Sequence, residues 1–395
     1  MSDTPRRAPF PGSASRPVVS PIQPAVVYAS DDPDMLDAQY SGQIAGYTYA
    51  REGHPNATRL SQMLEALEHA PEGSGTVTGS GMAAVAAVLM GLVKAGEHVL
   101  GGDQLYGRSL RLMAQDLPRL GIATSLADPT DAAAFAAAIR PETRMILIEI
   151  VSNPTLRVAD LAGIAAIARE RGILLAVDNT FTTPRGIRPL EHGADIVIQS
   201  VTKILAGHSD ATLGWVAARD PQLAEAMRVF AVTTGLTPSP FDCWLAERGL
   251  LTYPLRYDRA EANAARLADH LAGLAGVRRV LYPTRSDHPD HNRAVALLGN
   301  RGGHMVSFEL GGEVAGGRAA ANRLTRAAGV FFAPTLGDVA TTLSHPASSS
   351  HRAVPEEARA RTGISEGFFR ISVGIEPVED LCAAFSAGVA AAAAG

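Results

Sequence analysis

The chain has 395 residues, 46% of them hydrophobic and 19% charged, with a formal net charge of −5. Such a length exceeds one small core and predicts about two folded units. The mild acidity disfavours nucleic acid as the main partner. Cys243 and Cys382, far apart and the only cysteines, exclude a disulfide framework and a zinc cage, so no metal is expected. Arg6-Arg7 is followed by Pro, Gly and Ser instead of an apolar run, so no signal peptide is expected. The longest apolar run, residues 83–93, is too short to span a bilayer. These features read as a cytoplasmic protein of enzyme size with no membrane partner.

Residues 1–20 are rich in Pro, Ser and Arg and lack periodicity, which predicts a flexible arm. Irregularity continues to residue 49, with Pro21, Pro24 and Asp31-Asp32-Pro33 expected to break any helix. Gly46-Tyr47-Thr48-Tyr49-Ala50-Arg51-Glu52-Gly53-His54-Pro55-Asn56 reads either as an ordered loop or as an anion clamp. Residues 58–69 carry the helical period, with Leu60, Met63, Leu64 and Leu67 on one face. Thr76-Val77-Thr78-Gly79-Ser80-Gly81-Met82 then opens an alanine-rich helix to Leu92. Small residues there let backbone N–H groups close on an anion, and the same letters also make a plain tight turn.

After this, strands alternate with helices. Strands are predicted at 98–100, 145–150, 174–177, 196–198 and 212–216, and helices at 109–120, 131–139, 161–171 and 189–193. The alternation predicts a mostly parallel sheet with helices on its faces, and ligands gather at the carboxyl ends of such strands. Tyr106, Ser152-Asn153-Pro154, Asp178-Asn179-Thr180 and Ser200-Val201-Thr202-Lys203 all fall there. Each alone is a turn or a cap; together on one edge they mark a site. Lys203 by itself fits two descriptions, an exposed lysine opening a loop or a desolvated amine that attacks carbonyls.

Residues 221–253 read as helix interrupted at Thr237-Pro238-Ser239-Pro240, and 260–274 as a long amphipathic helix. The boundary between domains is expected near residues 253–258. Beyond it, strands at 279–281, 305–310, 330–332 and 369–373, with helices at 316–328 and 378–394, predict a smaller α+β unit. His288-Pro289-Asp290-His291 reads as a loop rather than a metal site.

In order along the chain, these motifs resemble the pyridoxal-phosphate (PLP) enzymes of cysteine and methionine metabolism. That family holds cystathionine γ-synthase, the cystathionine γ- and β-lyases, methionine γ-lyase and the O-acylhomoserine sulfhydrylases. The resemblance runs from Pro21-Ile22 to Glu379-Asp380-Leu381. Its strongest marks are Asp178-Asn179-Thr180-Phe181, Ser200-Val201-Thr202-Lys203, Gly207-His208-Ser209-Asp210 and Arg370-Ile371-Ser372-Val373-Gly374-Ile375-Glu376.

The resemblance implies the α/β fold of type I PLP-dependent transferases, like aspartate aminotransferase: a large, mostly parallel sheet domain plus a smaller C-terminal α+β domain. It implies pyridoxal 5'-phosphate as cofactor and a homotetramer built from two active dimers. Residues 1–50 would be an arm reaching a neighbouring subunit, 51–253 the cofactor-binding domain and 254–395 the C-terminal domain. Lys203 resembles the lysine that binds the cofactor covalently and later moves protons at Cα and Cγ. Asp178 would pair with the pyridine nitrogen, and Tyr106 resembles the tyrosine stacked on the ring. Gly81 and Met82 would give N–H groups to the phosphate, beside the Ser200 and Thr202 hydroxyls. Tyr49 and Arg51 resemble the clamp that reaches a neighbour's phosphate. Arg370 resembles the arginine that grips the substrate α-carboxylate, assisted by Asn153. Thr335 stands in the late loop on the substrate side, and Arg111 falls where γ-synthases and γ-lyases keep an arginine for a distal carboxylate.

Some positions depart from the family's pattern. His54-Pro55-Asn56 replaces Asn-Pro-Thr, Val151 replaces a proline, Arg108 replaces the second glycine after Tyr106, and Pro334-Thr335-Leu336-Gly337 stands where Ser-Leu-Gly is commoner. Leu343-Ser344-His345-Pro346-Ala347-Ser348 looks more like the sulfhydrylase and methionine γ-lyase branch. The expected activity is elimination or replacement at a C–S or C–O bond of a homoserine- or cysteine-derived amino acid, first of the cystathionine γ-lyase or γ-synthase type. Methionine γ-lyase and O-acylhomoserine sulfhydrylase are alternatives, and cystathionine β-lyase is a weaker one. Readings from other classes are an aminotransferase and a non-catalytic binding protein on the same fold.

Overall fold

Two sheets organise the chain in the computed structural model, which describes residues 13–311, 317–352 and 356–394. The first twelve residues of the expected arm and Gly316, the expected start of a helix, lie outside the described residues. The large sheet is built from β1 (Gly75–Thr78), β2 (His98–Gly102), β3 (Ala123–Ala127), β4 (Thr143–Glu149), β5 (Leu174–Asp178), β6 (Ile196–Gln199) and β7 (Gly214–Ala218). Their order is β1-β7-β6-β5-β4-β2-β3. From β6 to β3 neighbouring strands are parallel, whereas β7 is antiparallel to β6 and β1 to β7.

The central strands are apolar over residues 145–148, 174–177 and 196–198 because both of their faces are covered. Leu175, Val177, Val197 and Trp215 point into one core. Ala176, Ile196, Ile198 and Val216 point into another, on the opposite face. This is the two-residue alternation of a strand with a helix layer on each side.

The smaller sheet holds β8 (Val277–Leu281), β9 (Met305–Leu310), β10 (Phe331–Phe332), β11 (Thr342–Ser344) and β12 (Phe368–Ser372), in the order β10-β11-β12-β9-β8. It packs Val306, Phe308, Phe369 and Ile371 against the helices Gly317–Ala328 and Val378–Ala393. The helix Tyr253–Ala272 joins the two units. Its first turns place Tyr253 and Tyr257 in the core of the large sheet, and its later turns place Ala264, Leu267 and Leu271 in that of the small one. We propose that the change of domain falls within this helix.

Several elements differ from expectation. Asp31-Asp32-Pro33 starts a helix rather than preventing one: Asp32 Oδ1 accepts the Met35 N–H at 2.8 Å, and Pro33 opens the helix Pro33–Tyr40. Proline at the first helical position loses only an N–H that has no helical partner. The helix expected at 260–274 begins at Tyr253, so the expected boundary at 253–258 lies inside a continuous helix. The expected helix 109–120 is Gly107–Arg111, a π-helical segment Leu112–Asp116 and Leu117–Arg119. In that wider register the Met113 carbonyl faces Pro118, which has no N–H, and Thr124 Oγ1 donates to it instead at 2.9 Å. β3, β11 and the antiparallel β1 have no counterpart among the predicted strands.

Candidate active site

The carboxyl ends of the central strands gather most of the residues singled out in the sequence. Asp178 ends β5, and its Cα partner across the parallel ladder is Glu149, the last residue of β4. Thr180 bonds the Asp178 carboxylate twice, from N at 3.0 Å and from Oγ1 at 2.5 Å. Ser200 N donates in turn to Thr180 Oγ1 at 2.9 Å, which ties the turn after β6 to that after β5. Burial raises the Asp178 carboxyl above its usual range, and the two Thr180 bonds oppose the rise.

Glu149 is a site residue that the sequence reading missed. It is buried, and Oε1 accepts the Tyr106 backbone N–H at 2.5 Å. Burial first, then the charge of Asp178, pushes its carboxyl well above the ordinary value. A charged residue inside the apolar run 145–150 was the available signal, since a carboxylate is rarely left in a buried strand without a purpose.

Lys203 lies in the turn after β6, partly buried. Its ammonium makes no ion pair among the described residues. Burial first, then the nearby Arg370 charge, lowers its pKa, so a larger fraction of neutral amine is present than for a surface lysine. The turn is braced from below. The Arg256 guanidinium donates to Ile204 O at 2.8 Å, Leu205 O at 3.0 Å and Gly249 O at 2.8 Å. From above, Gly337, at φ +81°, comes so close to Lys203 C and Ile204 N that no side chain fits between them.

Arg370 enters from β12 of the small sheet and is 5% exposed. Nη1 donates to Asn153 Oδ1 at 2.6 Å and Nη2 to the Thr335 carbonyl at 2.8 Å, while Nε has no partner among the described residues. No carboxylate pairs with Arg370 among the described residues. Burial lowers its pKa to about 10. Asn153 and Arg370 are thus brought together from segments 217 positions apart. Thr335 contributes its carbonyl rather than its hydroxyl.

Gly81 and Met82 open the helix Gly81–Leu92, which Ser80 caps through a 3.1 Å bond from Ala83 N. A Cβ on Gly81 would come within 2.7 Å of Ser200 Oγ, so the glycine keeps the helix end open beside that hydroxyl. The Thr202 hydroxyl is engaged elsewhere: it donates to Leu213 O at 3.1 Å and accepts from Leu213 N at 2.9 Å. Arg111 is exposed and bonds Gln115 at 3.1 Å, not Arg370 or Asn153. Tyr49 and Arg51 stand apart from this cluster. Arg51 sits 5.5 Å from the Tyr49 ring centroid and donates to Val232 O at 3.3 Å, and both are exposed. None of their contacts reaches Gly81, Ser200 or Lys203. His288-Pro289-Asp290-His291 is structural, since Asp290 binds Arg157 through two bonds of 2.6 and 3.0 Å. Among the described residues no group of His, Cys, Asp and Glu could hold a metal ion.

The acidic pair Asp178 and Glu149, the glycine-opened helix end beside Ser200, the Lys203 turn and Arg370 are linked by short contacts at the carboxyl ends of β4, β5 and β6. Comparison with known proteins agrees with that design. Residues 10–390 match the family described as Cys/Met metabolism PLP-dependent enzyme. Cystathionine gamma-lyase of Bacillus subtilis (strain 168) is 40% identical over 345 residues, which cover 86% of this chain and 88% of that one. L-methionine gamma-lyase of Pseudomonas putida is 37% identical over 369 residues, 93% of this chain and 91% of that one. Among solved structures, cystathionine gamma synthase from Xanthomonas oryzae pv. oryzae, in complex with aminoacrylate and cysteine, superposes with a TM-score of 0.88 at 37% identity over 95% of this chain and 93% of that one.

The chain therefore belongs to the Cys/Met metabolism PLP-dependent enzymes. It is a PLP-dependent enzyme of the carbon–sulfur lyase and transferase type, on the type I fold. No helix among the described residues is long and apolar enough to cross a membrane.

Proposed function

We propose that the enzyme carries out elimination or replacement at the Cγ–S or Cγ–O bond of a homoserine-derived amino acid, cystathionine first among them. The observation that carries this reading is Arg370, a buried guanidinium with no carboxylate partner among the described residues, placed so that its charge acts on Lys203. Such a charge is costly to bury unless an anion completes it. An amino-acid carboxylate does so and leaves Cα near the Lys203 amine.

Three features fit the cofactor to the same edge. Asp178 and Glu149 form a buried acidic pair with no cation among the described residues, which suits a protonated ring nitrogen. The Gly81 helix end, open beside the Ser200 Oγ, suits a phosphate. Lys203, with its lowered pKa, suits an aldehyde. Bound PLP supplies the electron sink for negative charge formed at the substrate Cα.

In this reading Arg370 binds the α-carboxylate by a bidentate pair, and Asn153 fixes the plane of the guanidinium. The free Lys203 amine takes the Cα proton and, for γ-chemistry, moves a second proton from Cβ. Asp178 would hold the protonated ring nitrogen of the cofactor, and Glu149, which accepts the Tyr106 N–H, would position Tyr106 as the residue that faces the ring. Arg111 is the candidate for a distal substrate carboxylate. Tyr49 and Arg51 serve a neighbour's phosphate, which makes the working unit a dimer within a homotetramer. Their exposure, and contacts that do not reach their own Lys203, support this. The reading also places the enzyme in the cytoplasm, with Cys243 and Cys382 as free thiols.

The first experiment adds L-cystathionine to the PLP-loaded enzyme and assays 2-oxo acids, ammonia and thiols. 2-Oxobutyrate with cysteine supports γ-elimination. Pyruvate with homocysteine moves the assignment to β-elimination. Turnover of methionine or an O-acylhomoserine alone moves it to those branches. Formation of pyridoxamine phosphate without ammonia would make the enzyme an aminotransferase. Mixed oligomers of Arg51→Ala and Lys203→Ala chains test the shared site, since only a site built from two chains regains activity.

A further inference from the structure

Glu68 is the last residue of the helix Pro55–Glu68 and is fully buried. Its Oε1 accepts two amide bonds, from Asn179 Nδ2 at 3.1 Å and from Gln199 Nε2 at 2.5 Å. Those two residues are special by position. Asn179 directly follows Asp178, and Gln199 directly precedes Ser200, so one carboxyl group spans the ends of both strands that carry the site. Asn179 extends the tie. Its Nδ2 also donates to Ile187 O at 2.9 Å, its Oδ1 accepts from Thr182 Oγ1 at 2.5 Å, and its backbone N donates to Ile198 O at 2.9 Å.

We propose that Glu68 is a positioning residue for the cofactor-binding edge, fixing Asp178 against the Ser200–Lys203 turn through Asn179 and Gln199. The inference rests on the cofactor placement given above.

Two further atoms give the clamp a chemical state. Glu68 Oε2 and Gln199 Oε1 are both buried and both lack a partner among the described residues. Each is an acceptor, and the side chains that carry them are already joined by the 2.5 Å bond. A proton on Glu68 lets the acid donate to the amide oxygen and pairs both orphans, whereas ionised Glu68 leaves two bare acceptors in the interior. Burial raises the carboxyl to about 7, against the pull of the Gln199 and Asn179 bonds and of Arg188; Glu191 adds to the rise. Tyr253 is the other titratable group whose charge couples to Glu68. The closed, protonated form therefore prevails below neutrality and the strained, ionised form above it.

The test titrates cofactor-free native, Glu68→Gln and Glu68→Ala chains with PLP, following visible absorption for the dissociation constant, at about pH 6 and about pH 8.5, on either side of the shifted carboxyl. Glutamine reproduces the protonated acid, so Glu68→Gln keeps native affinity at the lower pH and loses the part of the pH dependence that Glu68 supplies. Loss of the clamp in Glu68→Ala weakens PLP binding about tenfold, the usual scale for stranded buried amides, while thermal melting shows a folded chain. Where Glu68→Ala does not fold, Gln199→Met removes one arm of the clamp and makes the same prediction. Native affinity in the folded Ala and Met variants, or a native pH profile in Glu68→Gln, overturns the inference. A Lys203→Ala chain that gives the native visible band would instead overturn the cofactor placement itself.

Discussion

Arg157 and Arg370 both lie where the two sheets meet, and both hold two partners, yet they do different work. Arg157 pairs with Asp290 through Nε at 2.6 Å and Nη2 at 3.0 Å. Burial raises the Asp290 carboxyl, and the Arg157 bond and the Val158 N–H more than offset it, so the acid stays ionised. That pair closes its own charge and ties the loop after β4 to residues 288–291. Arg370 is the more buried of the two and has only a carboxamide and a carbonyl. Its charge is left open. A compensated buried ion is structure; an uncompensated one is a receptor waiting for its counter-ion.

Substitutions can break this comparison. The largest effect belongs to Lys203→Ala: turnover falls at least about a thousandfold, as for loss of a covalent nucleophile and base. The PLP-dependent visible band disappears while the melting temperature of the cofactor-free chain is kept. Arg370→Met comes next. It lowers kcat/KM for the amino acid by about a hundredfold or more, as loss of a charge-assisted carboxylate pair requires. PLP affinity holds, and stability holds or rises because a desolvated charge has gone. Arg157→Met does the reverse. It removes the guanidinium that bonds Asp290 twice and leaves only the Arg293 ion pair at 3.6 Å, and it costs about 1–3 kcal/mol, under the fully buried case because Arg157 is 31% exposed and Arg293 stays. Activity per folded molecule survives. Equal responses of the two arginines in melting and in kcat/KM would erase the distinction.

Smaller effects sharpen it. Glu68 holds its proton to about pH 7 in the folded chain, against an ordinary carboxyl near 4.5. Its contribution to stability is therefore complete below the ordinary value and is lost as pH rises through about 7. A melting series across that range, with Glu68→Gln as the reference, should show the native chain losing ground toward higher pH. The smallest change is Asp258→Asn. Asp258 bonds Arg185 and Arg301, which lower its carboxyl to about 2, so its contribution persists at neutral pH and is lost only as acid reaches that value. With 42% of its side chain exposed, its removal costs under about 1 kcal/mol.

Much of the site was legible in the residues. Lys203 and Asp178 close apolar runs with polar groups where a parallel sheet puts its ligands, and Gly81 opens a helix. Asn153 and Arg370 could be linked only through the resemblance, because nothing local says that segments 217 positions apart meet. The pattern at Asp32-Pro33 is a helix start, although its letters read equally as a break. A cap and a breaker use the same residue types, and the residues after them decide which is built. Glu68 ends an ordinary-looking helix and carries no local signal, whereas Glu149 showed one as a charge closing an apolar run; the importance of each comes from neighbours on other elements.

By itself the sequence determined the alternation of strand and helix, the carboxyl edge that would hold the chemistry, and the family to which the chain belongs. These come from local periodicity and from short motifs whose members are adjacent. Tertiary structure decided which charges find partners. It gave Asp290 to Arg157 and a carboxamide and a carbonyl to Arg370, set Glu149 beside Asp178, and bonded Glu68 to the ends of both strands. The physical reason is that desolvation and pairing depend on what packs around a group, and the chain alone does not state its neighbours.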